Sequence, residues 1–140
     1  MKQKSNIKPQ QTIYKGPYDP PIFSYTTVQN SFSQYISGLF VVVGEGNVTK
    51  IREYIEKNNI VINSSIVDGE GNSLLHIIIT KDPKYFPEIK KIHLISFLVD
   101  EMNYPTDISN NMGITPLHLA ASYQYNQIIR FLIKKNANVM

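Results

Sequence analysis

Gly113-Ile114-Thr115-Pro116-Leu117-His118-Leu119, near the end of the 140-residue sequence, has a counterpart 42 residues earlier in Gly71-Asn72-Ser73-Leu74-Leu75-His76-Ile77. Further on, Phe131-Leu132-Ile133 matches Phe97-Leu98-Val99. A fixed period of this size marks an array of small stacked units. His76 lies 21 residues before Phe97 but His118 only 13 before Phe131, so the second unit carries an insertion, placed near residues 81–88. In the third unit Thr115 can cap a helix, and Pro116 in its first turn gives up no hydrogen bond. Ala120 and Ala121 allow close helix packing. Ile128, Ile129, Leu132 and Ile133 recur at helical spacing, and Lys134-Lys135 fall where a helix C-terminus favours cations. Each unit therefore reads as two antiparallel helices preceded by a projecting turn, which makes the fold all-α.

A weaker copy lies upstream, with residues 37–43 aligned on 115–121 and Ile51, Tyr54, Ile55 and Asn58 aligned on Ile129, Leu132, Ile133 and Asn136. Its turn residues are missing, as expected of a terminal unit. The units are drawn at about 31–63, 64–106 and 107–140. Residues 1–30 are different: Pro9, Pro17, Pro20 and Pro21 interrupt any periodicity and predict an extended arm. Lys2, Lys4, Lys8 and Lys15 against Asp19 give this arm the whole net charge of +3. Tyr14, Tyr18, Phe23 and Tyr25 are its expected contacts, made either to its own repeats or to a partner.

The sequence has no cysteine, which removes disulfides, thiolate metal sites and cysteine nucleophiles and fits a reducing intracellular compartment. Its longest aliphatic or aromatic run, residues 39–43, is far too short to cross a bilayer, and no signal-peptide core follows the basic N-terminus. A repeat region with balanced charge and only two arginines disfavours nucleic acid. His76 and His118 hold the same repeat position, where bonding to the backbone of a neighbouring turn outweighs metal or acid–base work; His93 reads as a helix-surface residue. Gly44-Glu45-Gly46-Asn47 and Gly69-Glu70-Gly71-Asn72 are identical, yet one falls between helices and the other on a turn, so neither is a phosphate loop. No triad, ligand cluster or cofactor motif is present, and catalysis is not expected. Tyr85 and Phe86 in the insertion either anchor a partner or fold back over Ile77 and Ile78.

Residues 110–121 (NNMGITPLHLAA) followed by 128–139 (IIRFLIKKNANV) resemble one complete ankyrin repeat, and residues 68–77 (DGEGNSLLHI) resemble the start of a second. The likeness covers about residues 31–140. Ile78 and Ile79 stand where the family has alanines and imply looser or shifted packing in that unit. The resemblance implies a solenoid that binds proteins without catalysis, as an adaptor or scaffold. It carries the variable contact positions onto Gly69, Glu70, Asn72, Thr80 and Lys81, and onto Asn111, Met112, Ile114, Ser122 and Tyr123, with Met112, Ile114 and Tyr123 as favoured anchors. The alternative is a structural subunit of a large assembly such as a viral particle, tethered by the arm. With 20 isoleucines against 8 leucines, 12 lysines against 2 arginines, and 13 asparagines, the composition resembles that of large DNA viruses and of some intracellular bacteria and protists. Because the sequence stops where another turn would begin, chain continuation or self-association is expected at that end.

Overall fold

The computed structural model describes residues 34–136; the arm, including Tyr14, Tyr18, Phe23 and Tyr25, lies outside the described residues. Among the described residues there are six α-helices: α1 (34–45), α2 (Val48–Lys57), α3 (Leu74–Ile79), α4 (Glu88–Ser96), α5 (Pro116–Ser122) and α6 (Asn126–Asn136). The only extended pairing among them is an isolated bridge between Val67 and Ser73. α3 packs on α4 and on α5, and α6 packs on both α4 and α5, so the second and third helix pairs stack inner helix on inner helix and outer on outer.

The helix starts follow from local chemistry. Asn47 caps α2 by accepting the Lys50 N–H at 3.1 Å. Ser73 and Thr115 cap α3 and α5, and in each case the histidine three residues on accepts the capping residue's own N–H through Nδ1. This reciprocal pair satisfies two of the donors that a helix start leaves open. Asn59 and Asn103 adopt left-handed conformations just after α2 and after the turn that ends α4. That turn, Phe97–Glu101, is π-helical and is closed by the Met102 N–H donating to the Phe97 carbonyl at 3.3 Å.

A continuous core joins the pairs. It contains Leu39 and Val43 of α1, Ile51 and Ile55 of α2, Leu74, Leu75, Ile78 and Ile79 of α3, Leu94, Ile95 and Leu98 of the α4 segment, and Ile128 and Leu132 of α6. Each such side chain removed from water stabilises by roughly 1.5–3 kcal/mol. Burial corrects the expected alignment of the first copy by one residue. Leu39, Val43, Ile51 and Ile55 correspond to the buried Pro116, Ala120, Ile128 and Leu132, whereas Ile129 is half-buried and Ile133 is 53% exposed. The consecutive Val41, Val42 and Val43 fit two helical registers equally well by sequence.

Ile78 and Ile79 are fully buried. They lie at the end of α3, which stops one position earlier than α5 when the repeats are superposed by sequence. The connection that follows runs over 80–87, against 123–125 in the third pair, and the rest of the extra length prolongs α4 into its π turn. The two aromatics of the insertion part company: Phe86 joins the core, while Tyr85 is 67% exposed. Phe86 fits because Gly46 has no side chain; a Cβ there would lie 2.7 Å from the ring.

Tyr104 ties the loop before α5 to the start of α3, donating to the Ile66 carbonyl at 2.6 Å and accepting from the Leu74 N–H at 3.0 Å. Burial pushes its phenol up from 10.0 to about 12, against the lowering effect of the Leu74 N–H. The folded state thus holds neutral a group that ionises more readily in the unfolded chain. Its contribution is complete below pH 10 and is lost as the pH rises towards 12, a change of roughly 2–3 kcal/mol. Urea titrations at stepped pH should show this alkaline loss. Tyr104→Phe should be about 1–3 kcal/mol less stable at neutral pH and have a shallower alkaline limb; an equally steep limb in the variant would assign the loss to other groups.

Candidate functional site

The turns before α3 and α5 have the same construction. Asp68 Oδ1 accepts from the Glu70 and Asn72 N–H groups, both at 2.9 Å, and Asn110 Oδ1 accepts from Met112 and Ile114 at 2.9 and 3.0 Å. Gly71 and Gly113 take φ of +80° and +79°, where a side chain would be strained. Gly71 is doubly constrained, because a Cβ would also lie 2.9 Å from the backbone nitrogen of Asn111 in the next turn.

That close approach reflects direct bonding between the two turns. The Asn111 N–H donates to the Glu70 carbonyl at 3.0 Å, and Asn110 Nδ2 donates to Asn72 Oδ1 at 2.9 Å. His76 completes the ladder: with Nδ1 accepting from Ser73, Nε2 carries the proton and donates to the Ile114 carbonyl at 2.7 Å. His76 is buried and bonds the neighbouring turn as its repeat position suggested. His118 differs, since it is exposed and its bonds run to Thr115 within its own turn. His93 is exposed, and its backbone carbonyl accepts from the Ser96 hydroxyl.

The ten sequence-selected contact positions fall into two groups. Gly69, Glu70, Asn72, Asn111, Met112 and Ile114 lie on the turns. Of these, Met112 is 82% exposed, whereas Asn72 is engaged with Asp68 and Asn110, and Ile114 is half-buried. Thr80, Lys81, Ser122 and Tyr123 lie at the far ends of α3 and α5. The Thr80 and Ser122 hydroxyls turn back onto carbonyls of their own helices. Tyr123, 47% exposed, stacks on Tyr125 with ring centroids 5.5 Å apart. The turns and the helix ends are thus brought into two rows at opposite ends of the short helices rather than into one cluster.

Sequence reasoning did not single out Ile89, which is 67% exposed. The helical phase of α4 was the available signal, because Lys91, Leu94 and Ile95 face inward and leave positions 89 and 93 outward. An open cleft of about 220 Å³ between α1 and α2 is lined by Val42, Glu45, Lys50, Glu53, Tyr54 and Lys57, a mixture of both charges with no nucleophile–base pair. Among the described residues, no three His, Cys, Asp or Glu side chains come together in a way that could hold a metal ion, and no helix is long and apolar enough to cross a membrane.

Residues 39–140 match the family of ankyrin repeats in three copies. A related protein is an ankyrin repeat protein of Acanthamoeba polyphaga mimivirus, 30% identical over 94 residues, which cover 64% of this chain and 5% of that protein. The chain therefore spans about a twentieth of the relative's length, and that relative comes from a large DNA virus. No solved structure matches the chain.

The unequal bonding of the two histidines has a measurable consequence. Thermal or urea unfolding should show His76→Ala destabilised by about 2 kcal/mol, since it removes a bond between repeats and orphans buried partners, while His118→Ala should lose less than about 1 kcal/mol. Equal losses would contradict the role given to the inter-repeat bond.

Proposed function

Since the chain belongs to the ankyrin-repeat family, a fold that serves protein–protein interaction rather than catalysis, we propose that it acts as an adaptor or scaffold segment that grips a protein partner with its projecting turns. The observation that carries this reading is the separation of tasks within each turn. Backbone groups and the Asp68, Asn72 and Asn110 side chains hold the turns in register, and Met112 is left 82% exposed at the apex of the third turn. An exposed, unbranched thioether on a rigid support suits an apolar contact that adapts to its partner.

Gly69, Glu70, Asn72, Asn111, Met112 and Ile114 would form the gripping edge, with Thr80, Lys81, Ser122 and Tyr123 as a second contact row. The anchor roles rest chiefly on Met112 and Tyr123, since Ile114 is half-buried and its carbonyl is occupied by His76. A tethered structural subunit would bind instead through residues 1–30. Affinity capture with the full chain, read by mass spectrometry, separates the two. Met112→Asp should abolish capture of the principal partner while leaving the melting temperature within a degree or two, because the side chain makes no core contact. Loss of capture on deleting residues 1–30, with Met112→Asp indistinguishable from wild type, would refute turn-mediated binding.

A further inference from the structure

The helix-to-helix connections form a second row, and its chemistry differs from that of the projecting turns. Residues 58–80 contain Asp68 and Glu70 but no lysine or arginine, whereas residues 81–91 contain Lys81, Lys84, Lys90 and Lys91. Lys91 is buried and occupied: its ammonium donates to the carbonyls of Ile79 and Lys81 and to the Tyr125 hydroxyl. The other three lie at the surface or are half-buried, and none forms an ion pair with a carboxylate among the described residues.

The two carboxylates within this stretch accept backbone N–H groups rather than pairing with its ammonium groups. Asp82 accepts the Lys84 N–H in its own turn, and Glu88 accepts the Gln127 and Ile128 N–H groups at the start of α6. The cations are also held in place: Lys90 Nζ lies 4.2 Å and Lys81 Nζ 5.9 Å from the centroid of the Phe86 ring, and Lys84 Nζ lies 5.5 Å from that of Tyr85. Among these charges stand the two exposed apolar side chains Tyr85 and Ile89, four residues apart and each 67% exposed.

We propose that Lys81, Lys84 and Lys90, together with Tyr85 and Ile89, form a docking site for a short acidic segment of a partner protein, with an apolar residue of that segment seated between Tyr85 and Ile89. Three cations with no ion-pair partner among the described residues supply the charge complementarity, and two large apolar side chains supply an anchor that charge alone lacks. The site spans ten residues, with Asp82 and Glu88 interspersed among its cations. This is the footprint of a peptide rather than of an anionic bilayer, which draws on a broader basic surface.

The test uses the full chain, labelled with ¹⁵N, and a synthetic twelve-residue peptide of repeated Glu-Glu-Leu, with Glu-Glu-Ser and Lys-Lys-Leu repeats as controls. Amide shifts on titration should be saturable, centred on residues 81–91, diminished by salt, smaller with Glu-Glu-Ser and absent with Lys-Lys-Leu. Lys84→Glu combined with Lys90→Met, which keeps an unbranched stem over Phe86, should weaken binding about tenfold. Tyr85→Ser with Ile89→Ser should weaken it severalfold, and Met112→Asp should leave it unchanged, so this site and the projecting turns stand or fall separately. Shifts centred on 68–72 or 110–114, unaltered affinity in the lysine variant, or equal binding of the Leu and Ser peptides would overturn the proposal. So would binding to vesicles of equal parts phosphatidylserine and phosphatidylcholine that the same variants abolish, in the absence of peptide binding.

Discussion

The imidazole of His76 is shared between two repeats. The Ser73 N–H points at Nδ1, which must therefore accept, and this leaves the proton on Nε2, where the Ile114 carbonyl takes it at 2.7 Å. One side chain thus closes the first turn of α3 and fixes where the next projecting turn sits. The neighbouring bonds, Asn110 to Asn72 and Asn111 to Glu70, join the same two turns. Register along a solenoid is a nearest-neighbour property, so bonds of this kind set the geometry of the whole stack. Gly71 follows from the same constraint, because the backbone of the next turn occupies the space a side chain would need.

The outer layer is joined by different means. Lys91 is fully buried, and an ammonium removed from water is costly unless its donors are met. Here they meet two carbonyls at the C-terminal end of α3, the Tyr125 hydroxyl at 3.0 Å, and the face of the Tyr125 ring, whose centroid is 4.6 Å away. The end of a helix is a favourable place for a cation. One turn earlier Glu88 caps α6, so α4 offers a carboxylate to the start of the next outer helix and an ammonium to the connection just before it. Asp100 and Glu101 diverge to opposite neighbours, pairing with Lys135 of α6 and Arg52 of α2. These exposed pairs contribute at most about 1 kcal/mol each, and their effect is on alignment more than on stability.

Much of this was legible in the sequence where the determinants are local. The two turns and their caps lie 42 residues apart in nearly the same residues, and they form nearly the same bonds. Leu98 and Leu132, matched through the Phe-Leu motif once the insertion is allowed for, are both fully buried. The first copy lost a residue of register because its turn motif was absent and a run of valines carries no phase. Long-range features were opaque for a physical reason. Which of Tyr85 and Phe86 turns inward is decided by Gly46, some forty residues away, and the burial of Lys91 depends on an α3 that ends early and on Tyr125 in the following pair. The contact positions were legible as positions, but whether Asn72 or Ile114 remained available depended on bonds between turns that no single repeat reveals.

The two rows of potential contacts are separated by α3, whose six residues span about 9 Å at the usual helical rise. At physiological ionic strength the screening length is about 8 Å, so charges exposed on one row are largely screened from the other. Asp68 and Glu70 on the turns therefore do little to neutralise Lys81 and Lys84 at the connections, although all four belong to one repeat. The mechanical link between the rows is also weak in the sense that matters for recognition. The bonds that hold the turns run from turn to turn, and those that hold the connections run through Lys91 and Glu88, with α3 as their common support. A solenoid built in this way can alter the chemistry of one row without disturbing the packing or the potential of the other, so a single short repeat can present two surfaces of opposite charge.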